Sequence, residues 1–201
     1  MRGLLEHMVR RLLPKESFEE AIQTILDDVI ALHGAEYGNI QLPIGDDLVI
    51  VAQRGLSEAF LQTFRRVRKD DGCACGRALR SGISVIIPDV ENDPEFAAFR
   101  NDAAIAGFRA VQSTPMFTRE EEFLGVVSTH FAHVHEPTAI EMEALKEYSV
   151  IAAKHAFKLL GASTLAAKAE QMSGELYNGI ENRESEAPLR APDMTESGRP
   201  A

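Results

Sequence analysis

The chain has no tryptophan, only two cysteines and no long apolar run among its 201 residues. The cysteines are separated by a single residue, so they cannot form an ordinary structural disulfide or a disulfide framework. The longest apolar stretches, near residues 122–131, fall well below the roughly 20 residues that a membrane span requires. The first residues alternate arginine with leucine, unlike a signal peptide. We therefore expect a cytoplasmic protein with reduced thiols and no membrane association.

The chain also has fewer basic than acidic residues. The chain has 21 Lys and Arg against 31 Asp and Glu, a net charge of -10. This balance repels phosphate backbones, so we expect no nucleic-acid partner. The one cationic cluster, residues 65–69, follows a predicted helix, where cations also stabilise the helix end. Hydrophobic residues make up 45% of the chain, which is typical of a globular domain.

Apolar spacing predicts the secondary structure. Residues 3–13 and 17–34 have helical spacing, and the second segment opens on a capping box at Ser17 and closes at Gly34. From Tyr37 the period changes to two, which predicts two strands around a turn at Gly45. Further helices are predicted at 57–67, 75–80, 94–107 and 137–160, and further strands at 84–88, 108–116 and 123–131.

This order of elements predicts an α+β fold. We expect a central antiparallel β-sheet with the N- and C-terminal helices on one face and short helices and loops on the other. The predicted divisions are an N-terminal helix at 1–15, one main domain at 16–160, and a helix extension with a tail at 161–201. Beyond Ser173 there are too few large apolar residues to offset the entropy of ordering, which predicts disorder.

Five sequence blocks in a fixed order support a family resemblance. From about residue 16 to 157 the chain resembles a GAF domain, particularly the sensor modules attached to bacterial histidine kinases and related signalling proteins. The blocks are YGNIQL at 37–42, VAQRG at 51–55, CGRAL at 75–79, GFRAVQSTP at 107–115 and LGVVSTHF at 124–131. The resemblance implies a small-molecule pocket between the sheet and the short helices, and a homodimer formed through the terminal helices.

The best-known ligands of this family have sequence fingerprints. The chain lacks the Asn-Lys-Xaa-Asn-Phe pattern of cyclic-nucleotide binders and the Cys-His pair of bilin binders, which disfavours both ligands. GAF-type free methionine sulfoxide reductases use active-site cysteines. A thiol-dependent reductase that uses Cys73 and Cys75 therefore stays open as an alternative.

Cys73 and Cys75 precede a predicted helix, whose free N–H groups and dipole favour a thiolate. The same helix start offers donors to an anion, with Arg77 in its first turn. Both features have ordinary explanations: cysteine also fills apolar contacts, and Arg77 also suits an ion pair with a surface carboxylate.

Polar residues recur on strands that should be adjacent. Asn39 and Gln41 alternate with apolar residues, and buried polar groups need partners. We predict a ligand pocket, with a self-satisfied hydrogen-bond network as the alternative; the facing of Gln112 and Ser113 depends on the strand register. The predicted ligand-binding residues are Asn39, Gln41, Gln53, Cys73, Cys75, Arg77, Gln112, Ser113, Ser128 and His130.

No catalytic or metal-binding motif accompanies these residues. His133 and His135 are interpreted as a solvated strand end, and no cofactor is identified. The sequence predicts a non-catalytic sensor of a small molecule or redox change, which signals through its terminal helices to a partner protein. A ligand-free dimerisation module is the remaining alternative.

Overall fold

The computed structural model describes residues 2–186, with side chains described for residues 3–182. The strands are β1 (Tyr37–Ile44), β2 (Asp47–Arg54), β3 (Arg66–Arg68), β4 (Val85–Ile87), β5 (Ala110–Phe117) and β6 (Phe123–Phe131). They form one antiparallel sheet in the order β3-β2-β1-β6-β5-β4. The helices are α1 (Arg2–Leu12), α2 (Phe18–His33), α3 (Glu58–Thr63), α4 (Ala74–Ser81), α5 (Arg100–Ala106), α6 (Ala139–Leu159) and α7 (Leu165–Glu186).

Local signals fix the ends of the two long helices that flank the sheet. The Ser17 hydroxyl accepts a hydrogen bond from the Glu20 N–H at the start of α2, and Gly34 ends that helix in the left-handed conformation with φ 60°. Thr138 and Glu141 form a complete capping box at the start of α6. Helix α2 thus starts and ends where the sequence predicts.

The sheet separates two hydrophobic cores, and the predicted α+β fold is confirmed. The first core packs α1, α2 and α6 against one face of the sheet. The second core packs α3, α4 and α5 against the other face, where eight phenylalanine and tyrosine side chains are buried or partly buried: Tyr37, Phe60, Phe64, Phe96, Phe99, Phe108, Phe123 and Tyr177. The strands in the centre of the sheet therefore separate two different environments.

A buried carboxylate joins the three helices of the first core. Asp28 on α2 is almost fully buried and accepts hydrogen bonds from the Tyr148 hydroxyl of α6, at 2.6 Å, and from the Arg11 guanidinium of α1. Burial raises the pKa of Asp28, although the Tyr148 hydrogen bond and the Arg11 charge act in the opposite direction. Two hydrogen bonds to Asp28 thus link α1, α2 and α6, in addition to their apolar packing in the first core.

Two local predictions need correction, the helices at 57–67 and 94–107. The predicted helix at 57–67 ends at Thr63, and Arg66–Arg68 is an edge strand whose Val67 is buried opposite Leu48 while the arginines point to solvent. Alternation of apolar and charged residues outweighs the helical pattern there. Asp93 accepts a hydrogen bond from the Phe96 N–H, but only a 3-10 turn (Ala97–Phe99) follows before α5 begins at Arg100.

Helix α7 contradicts the prediction that order ends near Ser173. It continues to Glu186 and contacts both cores, with Ala169 and Met172 in the first and Tyr177 and Ile180 in the second. A few well-placed apolar residues anchor it, and the Tyr177 hydroxyl donates to the Leu61 carbonyl at 2.7 Å. Helices α1, α2 and α6 lie on one face of the sheet, as the sequence predicted, whereas α7 contacts both cores. The tail at 187–201 lies outside the described residues.

Replacing Tyr177 with alanine tests whether α7 belongs to the fold. The substitution removes a fully buried ring and its hydrogen bond, and it should lower the free energy of unfolding by about 3 to 5 kcal/mol. Asn178→Ala, at the exposed neighbouring position, should change it by less than about 0.5 kcal/mol. Urea denaturation of both variants measures the difference, and equal stabilities would show that α7 does not pack as described.

Candidate functional site

Strand register brings polar side chains from β1, β5 and β6 to one face of the sheet. Asn39 on β1 lies opposite Ser128 on β6, and Ser113 on β5 lies opposite the same serine. The intervening residues Ile40 and Leu42 belong to the first core. The register also decides between the two neighbours on β5: Ser113 faces the second core, and Gln112 faces α6.

These side chains surround a cavity of about 20 Å³, which is room for roughly one water molecule. Strands β1, β5 and β6 form its floor, and α3, the start of α4 and the segment around Phe96 form its cover. Residues on its wall are Asn39, Gln41, Phe60, Phe64, Cys73, Ala74, Cys75, Phe96, Phe108, Val111, Ser113, Ser128 and His130. Seven of the ten predicted site residues are on this wall.

Several buried polar atoms on the wall lack a partner. Asn39 Oδ1, both amide atoms of Gln41 and His130 Nδ1 form no hydrogen bond with any residue in the described part of the chain. Their side chains are 3%, 0% and 4% exposed, respectively. The two serines differ, because Ser113 and Ser128 hydrogen-bond to each other at 2.7 Å. Since buried polar groups are nearly always paired, the unpaired atoms are suited to a bound polar molecule.

His130 occupies the centre of an aromatic cluster. Its ring meets Phe108 at 4.8 Å and Phe60 at 5.2 Å between centroids, in both cases edge to face. Burial lowers the pKa of His130 to about 3, so the imidazole is neutral at physiological pH. No Asp, Glu, Lys or Arg is on the cavity wall. The described site is therefore polar but uncharged.

The two thiols lie side by side at the start of α4. Cys73 is the N-cap residue, and its Sγ lies 3.5 Å from Cys75 Sγ. The hydrogen bond from Cys75 lowers the pKa of Cys73 despite its burial, whereas the same contact and burial raise the pKa of Cys75. Cys73 is thus the thiol that ionises more readily.

Gly76 allows the start of α4 to pack closely against the end of β3, and this packing positions the two thiols. A Cβ atom at this position would lie 2.6 Å from the Arg68 carbonyl oxygen and 2.7 Å from that of Asp71. Any larger residue would push the first turn of α4 away from the end of β3. The glycine that follows Cys75 is therefore a packing requirement of the site.

Three predicted site residues lie elsewhere. Gln53 lies opposite Asn39 in the sheet, but its side-chain carbonyl accepts from the Leu56 N–H in the following loop. Arg77 forms a half-buried ion pair with Asp93 at 2.8 Å, so a carboxylate of the chain already occupies its guanidinium. Gln112 faces α6, where its amide nitrogen contacts Thr114 Oγ1 and Met142 Sδ. None of the three is on the cavity wall.

The aromatic cover of the site was not among the predicted site residues. Phe60 and Phe64 come from α3 and its C-terminal end, Phe96 and Phe108 come from two other segments, and only the fold brings the rings of these three segments together. Helical spacing explains Phe60 and Phe64 as core residues equally well, so the sequence offers no signal for a binding role.

The remaining histidines do not complete a metal site. His133 is exposed, and the His135 ring stacks on Phe131 at 3.8 Å. The part of the chain that the structure describes has no group of three His, Cys, Asp or Glu side chains arranged to hold a metal ion. None of its helices combines the length and apolar character of a membrane span.

Comparison with known proteins identifies the family. The family model of the GAF domain matches residues 15–154. The chain therefore belongs to the GAF domain family, a fold that serves sensing and signalling in kinases and phytochromes, as the sequence resemblance predicted. A search of curated proteins found no significant match.

Solved structures with a similar fold come from proteins of different function. The GAF domain of an Acinetobacter phosphoenolpyruvate-protein phosphotransferase has a TM-score of 0.64 at 11% identity, covering 78% of this chain and 92% of that one. A free methionine-R-sulfoxide reductase from Neisseria meningitidis, solved with its substrate, has a TM-score of 0.62 at 17% identity, covering 85% and 90%. A domain of a two-component sensor histidine kinase protein from Sinorhizobium meliloti 1021 has a TM-score of 0.58 at 15% identity, covering 73% and 95%.

Replacing His130 with phenylalanine tests the neutral, buried imidazole. In the wild type the unfolded chain takes up a proton near pH 6.5 while folded His130 stays neutral down to about pH 3, so stability falls as the pH drops through this window. The variant should lose the contribution of His130 to the pH dependence of the free energy of unfolding, which is at most about 1.4 kcal/mol per pH unit. His33, whose pKa burial lowers to about 4, contributes its own dependence in both proteins.

Denaturation curves between pH 7 and pH 4 measure the two slopes. A shallower slope for His130→Phe is the expected result. Equal slopes would show that His130 is not shielded from protons in the folded protein.

Proposed function

We propose that the chain is a non-catalytic sensory GAF domain that binds a small, neutral, hydrogen-bonding molecule in the cavity between the sheet and α4. The observation that carries this proposal is the set of unpartnered polar atoms on Asn39, Gln41 and His130, which converge on one cavity. A neutral ligand follows from the wall, which has amide, imidazole, hydroxyl and thiol groups but no ionised side chain.

The small volume limits what binds without rearrangement. A cavity of about 20 Å³ admits a molecule the size of water, so a larger ligand must displace part of the aromatic cover. Phe60 is on α3, a helix of six residues, and Phe64 is its C-cap residue; this short element can move more readily than the sheet. A ligand that binds the displaced state more tightly shifts the population toward it.

The same strands provide a route to the terminal helices. Asn39 and Gln41 line the cavity, while Ile40 and Leu42 on the opposite face of β1 pack in the core that contains α2 and α6. A change in β1 therefore reaches the helices that Asp28 ties together. We propose that these helices form a homodimer and pass the signal to a partner protein, and that free thiols reflect a cytoplasmic location.

Native mass spectrometry of the full chain tests ligand binding directly. We expect wild-type protein to retain a small non-protein mass that disappears under denaturing conditions. Gln41→Leu should abolish retention, because it removes both unpartnered amide atoms. Gln53→Leu is the matched control outside the cavity and should keep the ligand. A wild-type protein that carries no added mass, with no thermal shift from neutral amides such as acetamide, would contradict the proposal.

The adjacent thiols support a second candidate, a redox-responsive or thiol-dependent function. Two Sγ atoms 3.5 Å apart can join when peroxide oxidises them, with loss of both thiol hydrogens and reduction of one peroxide to two waters. Mild peroxide should then remove two hydrogen atoms from the wild-type mass, and thioredoxin-type reductants should restore them.

Single substitutions separate the roles of the two thiols. Cys75→Ser should leave Cys73 to accumulate as a sulfenic acid, since Cys73 has the lower pKa. Cys73→Ser should react much more slowly. Unmodified thiols in folded wild-type protein under these conditions would rule out the redox candidate and leave ligand binding unaffected.

A further inference from the structure

The outward surface of α6 has a stripe of side chains that changes from acidic to apolar to basic along the helix, with the exposed Lys146 beside its acidic half. Their spacing of three or four residues puts them on one side of the helix. We call this set the α6 stripe, and its members are Glu143, Glu147, Val150, Ile151, Lys154 and Lys158. The four charged members are exposed, and the two apolar members at the centre are half-buried.

Contacts within the chain do not explain this pattern. None of the four charged residues forms an ion pair or hydrogen bond with another residue of the described part. Glu143 with Glu147, and Lys154 with Lys158, are like charges four residues apart, an arrangement that slightly destabilises an isolated helix. The helix dipole accounts for Lys158 in the last turn but acts too locally to account for Glu147 or Lys154.

The stripe is complementary to itself when reversed. The midpoint of the α6 stripe, which runs from residue 143 to residue 158, falls between Val150 and Ile151. Charged residues at equal sequence separation on either side of this midpoint have opposite sign. Glu147 and Lys154 are equally far from this midpoint, and so are Glu143 and Lys158. A two-fold axis through the midpoint therefore brings each carboxylate opposite an ammonium group.

Apolar side chains beside the stripe add to this surface. Leu13 of α1 is 52% exposed and shares a groove with Val150 and Ile151, and Ile140 at the start of α6 is 58% exposed. A charged rim around apolar residues is the usual composition of a protein interface.

We propose that the α6 stripe binds a second copy of this chain in antiparallel orientation. Glu147 then faces Lys154 of the second copy, Glu143 faces its Lys158, and the apolar centres meet on the two-fold axis. A parallel pairing would instead oppose glutamate to glutamate and lysine to lysine. This inference specifies the geometry of the proposed dimer and rests on that part of the proposed function, but not on the ligand.

Charge reversal of the full chain tests the orientation. Glu147→Lys alone should weaken the dimer by about tenfold or more at low ionic strength, because two symmetry-related attractions become repulsions. Lys154→Glu alone should have a similar effect. The double variant E147K/K154E should dimerise like the wild type, and an equimolar mixture of the two single variants should form heterodimers. Sedimentation velocity over a concentration series measures all four.

Matched controls reverse exposed charges on α3 and directly after β3, away from the α6 stripe. Glu58→Lys and Lys69→Glu make the same charge changes away from α6 and should leave the dimer intact, and circular dichroism checks that every variant is folded. A wild-type dimer that is indifferent to Glu147→Lys would overturn the orientation but leave the proposed dimer in place. A monomer at all concentrations would overturn both, and neither result bears on ligand retention in the cavity.

Discussion

The organisation of this protein depends on the two-sided character of β1 and β6. Each strand must bury apolar residues against α2 and α6 on one face, and the same strands present amide, hydroxyl and imidazole groups on the other. Such groups cost free energy when they are buried without partners. In the proposed function a bound molecule pairs with these groups in the cavity beside Gln41 and His130.

The cover of the cavity defines which ligands it can take. Four phenylalanine rings and a neutral histidine exclude an unpaired charge, because transferring an ion into such surroundings is costly. Arg77, two residues after Cys75, is paired with Asp93 and does not line the cavity. The thiols of Cys73 and Cys75 are on the same wall, so the two proposed functions, ligand binding and a redox response, would share one location.

Periodicity in the sequence was enough to predict the α+β fold, the caps of α2 and the facing of Asn39 and Gln41. These features depend on neighbouring residues, whose pattern is visible in the sequence. The choice between Gln112 and Ser113 could not be made, because it depends on how β5 aligns with β6. The aromatic cover and the partners of Gln53 and Arg77 could not be predicted either, since they depend on contacts between distant segments. The order of helix α7 was not predicted because only four buried apolar residues, among them Tyr177, anchor a largely polar helix.

The most direct test of the central claim is a high-resolution crystal structure of the purified protein at neutral pH. The account predicts a bound non-protein molecule within hydrogen-bond distance of the Gln41 amide and His130 Nδ1. A cavity in which the Gln41, Asn39 and Ser128 side chains satisfy one another, with nothing bound, would contradict it and would favour a purely structural module.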